Sequence, residues 1–432
     1  MIWNIILPFM KETMLHFKDK RIDRMRILSI TAQKPNSTGS GVYLTELVKE
    51  YAEDGHKQAV VAGIYKEDTV EMPDGVSFYP VYFDSEKLPY PIVGMSDEMP
   101  YESTRYCDMT QEMTGRFREG FLEVIDQAVE EFQPELILCH HLYFLTAIVR
   151  ERFPEHTIYG FCHNTDLRQM QKTDFEREFI REHIRKLDHI FVPQRAQEEG
   201  VRDIYGIEPE NMTRLGMGYN SQIFCATETS RSKQGVQIVF AGKITQKKGV
   251  KSLLRALCLL AEREESEAGK EQLTLYLAGS TGNPKEYEEI QSLAGKCPYE
   301  VEFLGRLTQP ELARVYNQCD IFTLPSFYEG IPLVVIEALA CGDRVIMTDL
   351  PGLQEWFEET VPGADIRYVC MPRMEYADEP AAEELPAFEE RLADALAESL
   401  LQKETKTADV SRISWKGISR KVLTIKEQEV LR

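Results

Sequence analysis

The chain has no apolar run approaching the roughly twenty residues that a membrane-spanning helix needs. It also lacks a CxxC pair and an Asp-x-Asp triplet that would hold a divalent metal against a diphosphate. Basic charge is in short supply too: 50 Lys and Arg stand against 71 Asp and Glu, a formal net charge of −21. That balance argues against a nucleic-acid partner and against loose adhesion to anionic membranes. Nine cysteines (107, 139, 162, 225, 258, 297, 319, 341 and 370) lie scattered with no pairing pattern. They read as reduced core thiols of a cytoplasmic protein, and neither a disulfide frame nor a zinc site is expected. The N-terminal run Ile2 to Met10 is short and holds Pro8, with no basic region before it and no small-residue cleavage site after it. It makes a poor signal peptide.

What is present is a chain of 432 residues, 43% of them hydrophobic, too long for one core. Two domains are therefore expected. The first is expected to begin at Met25 with MRILSITAQ, with residues 1–24 a leader or a mis-assigned start, or else an amphipathic N-terminal arm.

The stretch Ile321 to Gly342, IFTLPSFYEGIPLVVIEALACG, reads as a buried strand, a sharp turn and a helix placed directly after it. Ile321 to Leu324 is apolar and β-prone, and Pro325 and Ser326 stop it. Gly330 frees the turn, Pro332 suits the first helical position, and Gly342 suits the left-handed position past the helix end. The helix spans about Pro332 to Cys341 and is apolar on every face, which predicts burial on all sides. Glu337 is the anomaly within it, since a buried carboxylate is costly unless something answers its charge. Glu329 stands in the turn before the helix, so the two carboxylates flank a helix N-terminus whose free amides attract phosphate. Two acceptors around an anion hole suit a sugar nucleotide; a solvated Glu329 and an ion-paired Glu337 are the plainer reading.

In the first half, strand Arg26 to Ala32, loop Pro35 to Gly41 and a helix from about Val42 to Glu53 form the α/β phosphate-binding order. The loop has neither a dinucleotide fingerprint nor a P-loop lysine. Strand Leu136 to Cys139 delivers His140 and His141, and strand Thr157 to Cys162 delivers His163, Asn164, Thr165, Asp166 and Arg168. The carboxyl ends of parallel strands are where α/β sheets bind ligands. Asp84 to Arg116 is long and not periodic, and is expected to be an acceptor-side loop or a solvated insertion. Thr173 to Phe191 reads as an amphipathic helix leading into a strand, with a solvated charged face as the first reading and a membrane-facing basic patch as the second. In the second half, Lys243 and Lys248 stand at a strand-to-helix turn after Val236 to Phe240, which serves a diphosphate clamp and a pair of surface lysines equally well.

The Glu, seven residues, Glu spacing with GIPLVVIEALACG resembles the signature of GT-B glycosyltransferases of family 4. VFAGKITQKKGVKSLLRAL, LTLYLAGS, VEFLGRLTQPELARVYNQCDIF and MTDLPG fall in the family's order, so the likeness runs from about Met25 to Leu423. It implies an α/β protein of GT-B class, with two Rossmann-like parallel-sheet domains facing a central cleft. The acceptor-side domain would be residues 25–225, the linker 226–235, the donor-nucleotide domain 236–410, and residues 411–432 a C-terminal helix crossing back. It further implies a retaining transferase that moves a sugar from a nucleotide-sugar, most often a UDP-sugar, to an acceptor hydroxyl without metal or other cofactor. His163, Glu329, Lys243 and Lys248 are the implied catalytic residues. Gly39, Gly41, Arg306, Leu307, Gly330, Ile331, Pro332, Leu333 and Glu337 would line the donor, and His140, His141, Asp166 and Arg168 are acceptor-side candidates. Phosphorylases and non-hydrolysing epimerases share this fold, and a non-catalytic sugar-nucleotide-binding subunit is the third reading. The acceptor, whether small molecule, glycan or lipid-linked sugar, is not named by the residues.

Overall fold

The computed structural model describes residues 24–96, 99–227, 235–264, 273–376, 379–402 and 408–430. Nearly all of the expected leader (1–23) and most of the expected linker (228–234) lie outside them. The chain divides into two compact units. One takes in the described residues up to Val192 together with Ala196–Thr213; the other takes in Pro193–Arg195 and everything from Arg214 onward.

The first unit holds a seven-stranded sheet whose order, by first residue, is Ser77, Lys57, Arg26, Leu136, Ile158, His189, Met212. The pairings from Ser77–Tyr82 across to His189–Val192 are all parallel. Strands such as Leu136–His140 and Ile158–Phe161 are buried at every position. Helices on both faces leave such strands no polar side, and so they read as continuous apolar runs. The second unit repeats the plan with six parallel strands in the order Glu300, Leu273, Val236, Ile321, Arg344, Ile366. Both orders run outward from the first strand, jump, and run outward the other way, so each sheet has a switch point where ligands of α/β proteins bind. That point lies between Arg26–Thr31 and Leu136–His140 in the first unit, and between Val236–Ala241 and Ile321–Leu324 in the second.

Three sequence expectations change in detail. The segment after Asp84 is no solvated insertion: Leu88, Tyr90, Ile92, Val93 and Met95 are buried in the first unit's core. Its backbone is tied down by Tyr65, whose hydroxyl accepts from the Ile92 N–H at 3.1 Å, and by Gln169, which donates to the Met95 carbonyl at 3.0 Å. The stretch 173–191 contains a shorter helix, Arg177–Ile184, preceded by a separate helix Thr165–Lys172. Its cations are matched, Arg177 with Asp174, Arg181 with Glu178 and Lys186 with Glu182, as a solvated face requires. The helix after Gly330 is Leu333–Ala340, with Pro332 as its cap residue, and its first turn is only half-buried. Among the described residues no helix is long and apolar enough to cross a membrane.

Candidate functional site

The switch point of the second unit is assembled by close backbone contact. Gly249 sits at φ +73°, and a Cβ there would lie 2.0 Å from the Pro325 carbonyl oxygen. Beside it, the Phe327 N–H donates to the Lys247 carbonyl at 3.0 Å. These contacts pin the turn after Val236–Ala241 against the turn after Ile321–Leu324. The result is a salt bridge, Lys248 Nζ to Glu329 Oε1, at 2.6 Å, with side chains 26% and 14% exposed. Such shielding from water gives the pair more weight than a surface pair has. Gly249→Ala is expected to lower the melting temperature of this unit by several degrees, since left-handed strain alone costs about 1–3 kcal/mol. Calorimetry checks this, and an unshifted transition would contradict the packing described.

Lys243 is exposed and lines a cavity of about 270 Å³ with Gly242, Gly279, Ser280, Arg306, Leu307 and Val334 among its walls. Val334 belongs to the first turn of Leu333–Ala340, where no side chain caps the free amides. That half-exposed first turn corrects the expectation of a helix buried all round, and it puts Val334 on the cavity wall. Gly330 is not a conformational glycine. Its φ lies outside the left-handed region and a Cβ there would meet open space, so what it leaves is room beside Glu329. Ile331 and Leu333 are half-buried and Pro332 is buried.

Glu337 is 7% exposed and makes no ion pair among the described residues. Burial pushes its carboxyl from 4.5 up to about 7. The folded state therefore holds a proton that the unfolded chain has already released, so this stabilisation is full below about pH 4.5 and is lost as pH rises through about 7. The difference amounts to about 3 kcal/mol. Glu337→Gln should abolish this dependence, so that its melting curve and the wild type's diverge between about pH 5 and pH 8. Parallel curves would contradict the burial argument.

The first unit's switch point gathers three histidines. His140 Nδ1 and His163 Nε2 share a hydrogen bond of 3.1 Å, and His141 Nε2 reaches Ser40 Oγ at 2.9 Å. The His140 ring is stacked on Phe161, with centroids 4.9 Å apart and planes 5° from parallel, while Tyr43 meets His163 edge-on at 5.4 Å. Burial lowers the His163 pKa to about 3 and drives His140 and His141 well below the usual histidine range, so all three rings are neutral. His163 is half-buried and its ring makes no second hydrogen bond among the described residues, which leaves it the ring open to a ligand.

Asp166 occupies a different place from the one expected of an acceptor contact. It is wholly buried, and its carboxylate accepts the N–H groups of Leu142 at 2.8 Å, His163 at 3.2 Å and Leu167 at 3.1 Å. It is a positioning residue that ties the loop after His141 to the loop carrying His163. Arg168 is exposed on the next helix turn and takes part in no ion pair among the described residues. Gly41 is required by packing, because a Cβ would lie 2.6 Å from the Lys34 carbonyl, whereas at Gly39 it would meet nothing. The helix in fact starts at Gly39, three residues before the expected position, with Thr38 as its cap accepting the Gly41 N–H at 3.2 Å.

Sequence reading missed Ser40 and Tyr43, which surround the histidines, and Tyr328, which stands 61% exposed beside Glu329. Only Tyr328 carried a sequence signal, as a large aromatic next to a candidate carboxylate in a turn.

Comparison with known proteins gives two family matches. A model described as Glycosyl transferases group 1 matches residues 235–379, and one described as Glycosyl transferase 4-like domain matches residues 38–218. An uncharacterized glycosyltransferase of Methanocaldococcus jannaschii is 29% identical over 38% of this chain and 40% of its own length. The D-inositol 3-phosphate glycosyltransferase of Corynebacterium kroppenstedtii is 27% identical over 56% of this chain and 54% of its own. The chain thus spans about half the length of these relatives or less. Among solved structures, Anabaena HepE in complex with UDP and glucose superposes with a TM-score of 0.53 at 14% identity, covering 94% of this chain and all of that one. That likeness is one of fold, of the GT-B class.

Proposed function

The chain belongs to the glycosyl transferases group 1 family, with a glycosyl transferase 4-like first unit, and from that premise we propose that it is a retaining glycosyltransferase using a nucleotide-sugar donor. The observation that carries the reading is the Lys248–Glu329 pair at the N-terminal end of Leu333–Ala340, beside a cavity that shares Lys243. A diphosphate arriving there meets Lys243, Lys248 and the free amides of the first helical turn. By taking over Lys248 it releases Glu329, whose carboxylate then accepts hydroxyls of the donor sugar. Glu337 takes the ribose diol, whose two hydroxyls hydrogen-bond a carboxyl that makes no ion pair among the described residues. Arg306 and Leu307 lie where the base would be read, with Gly330, Ile331, Pro332 and Leu333 beneath the sugar. In the first unit His163, held by His140, offers a neutral ring at the carboxyl end of a parallel strand, and Gly39 and Gly41 keep the backbone bare at a helix N-terminus.

In the reaction the acceptor oxygen attacks the anomeric carbon on the face from which the diphosphate departs. The bond from that carbon to the diphosphate oxygen breaks, and a leaving-group phosphate oxygen takes the acceptor's proton. Lys243 and Lys248 stabilise the charge that develops, a type of contribution typically worth about 3 kcal/mol per group. Two lysines supply this positive charge, so the reading needs no metal. UDP is the first candidate nucleotide because the Anabaena fold neighbour holds it, and phosphorylated polyols are the first candidate acceptors because of the Corynebacterium relative's name.

The test is release of nucleoside diphosphate from UDP-, GDP- and ADP-sugars in EDTA, with D-inositol 3-phosphate and simple sugars as acceptors and the anomeric configuration of the product read by NMR. A retained product from one donor is expected. An inverted product, or turnover that depends on added metal, contradicts the mechanism. Turnover that requires orthophosphate and yields a sugar phosphate instead points to a phosphorylase.

A further inference from the structure

The three histidines of the first unit differ in what holds them. His141 uses both ring nitrogens, Nε2 to Ser40 Oγ at 2.9 Å and Nδ1 to Thr165 Oγ1 at 3.5 Å. His163 uses one, Nε2, whose partner is His140 Nδ1 at 3.1 Å. His140 is 3% exposed, and its other nitrogen, Nε2, is buried with no hydrogen-bond partner among the described residues. The His140 ring lies flat on Phe161, its plane is 14° from that of His163 with centroids 5.3 Å apart, and Tyr43 meets it edge-on at 6.3 Å. Neither His140 nor His163 bonds a carboxylate through its ring among the described residues. Asp166, the acid of the loop that carries His163, directs its oxygens to backbone N–H groups.

Which nitrogen of a neutral imidazole carries the proton is set by the bond that the other nitrogen makes. Two arrangements fit a hydrogen bond between two neutral rings. In one, His163 Nε2–H donates, and the His140 proton is left on Nε2 as a buried N–H without an acceptor. In the other, His140 Nδ1–H donates, His140 Nε2 is a bare lone pair, and His163 carries its proton on Nδ1. A buried N–H with no acceptor is the rarer condition in folded proteins, since it forfeits its whole bond to water. We infer that His140 is a positioning residue, which donates through Nδ1 and so fixes His163 as the Nδ1–H tautomer, leaving that N–H as the donor offered to an oxygen of the substrate. A carboxylate partner would stabilise an imidazolium and suit a general base. A neutral histidine partner does not, so His163 serves as a fixed hydrogen-bond donor. The role in turnover rests on the proposed transferase reading, whereas the tautomer stands on this geometry alone.

The test is long-range nitrogen–proton correlation NMR of the histidine-labelled full chain at neutral pH, with the His163 signals assigned by their loss in His163→Asn. The wild type should show His163 protonated on Nδ1. His140→Phe keeps a ring against Phe161 but has no donor, so His163 should revert to the Nε2–H form that imidazole prefers in water. His140→Asn, whose amide N–H can stand near the position of Nδ1, should restore the Nδ1–H form. For sugar transfer, kcat/KM should fall about tenfold in His140→Phe and recover in His140→Asn. Circular dichroism of each variant keeps loss of fold apart from loss of the bond, and the wild-type spectrum alone suffices if a variant does not fold. His163 found as the Nε2–H form in the wild type, a tautomer unchanged in His140→Phe, or normal transfer by that variant overturns the inference. If the Nδ1–H form appears and responds as expected while no nucleotide-sugar supports transfer by the wild type, the transferase reading fails and the tautomer assignment stands.

Discussion

Glu329→Ala is expected to lower kcat/KM for sugar transfer by about a hundred- to a thousandfold while leaving the fold intact, the loss typical when one pre-organised polar group is removed from a developing charge. The prediction has a second, less obvious half. Glu329 holds Lys248 at 2.6 Å, so the carboxylate competes with any incoming diphosphate for that ammonium. Removing it leaves Lys248 with no counter-charge from that side chain, and free nucleoside diphosphate should bind at least as tightly to the variant as to the wild type. Transfer lost and nucleotide binding kept is the signature of a residue that handles the sugar. A general collapse of the site would lose both. Steady-state kinetics together with calorimetric titration separate these outcomes, and near-normal turnover would refute the assigned role.

Asp166→Ala is expected to act on stability, by about 4 kcal/mol, because the buried N–H groups of Leu142 and Leu167 and the half-buried one of His163 lose their acceptor at a cost of about 1–3 kcal/mol each. That is a large share of the stability of a typical domain, and it should lower the first unit's melting temperature by about 10 °C. Asp166→Asn keeps one acceptor oxygen and should fall between the two. Because the same carboxylate fixes the loops that carry His141 and His163, the alanine variant should also lose the ring contact between His140 and His163, readable in the imidazole NMR signals. A transition within about 2 °C of the wild type would show that water replaces the carboxylate and that it holds nothing together.

The fold was legible because parallel strands buried on both faces announce themselves as apolar runs. Val236–Ala241, Leu273–Ala278 and Ile321–Leu324 stand almost where those runs put them. Glu337 was legible for the same reason, as a lone charge in an apolar helix. What sequence could not supply was anything set by approach between distant segments. Nothing local says that Gly249 must lie against Pro325, that Gly279 at φ +145° must admit the Gly242 carbonyl, or that the His140 and His163 rings share a hydrogen bond. The helix start at Gly39 was placed late because glycine lowers helix propensity, while the cap at Thr38 and the tight packing at Gly41 override it. Asp166 was read by residue type as a ligand contact. Only the three amides pointing at it reveal a structural carboxylate.

The measurement that bears most directly on the central claim is calorimetric titration of UDP, GDP and ADP in EDTA into the full chain and into Lys248→Ala and Glu337→Ala. One nucleotide should bind the wild type without metal, and each variant should weaken it by about tenfold or more, the scale of a lost charge-assisted hydrogen bond. Absence of binding by all three nucleotides, or binding that both substitutions leave unchanged, would contradict the assignment of a nucleotide-sugar site to this switch point.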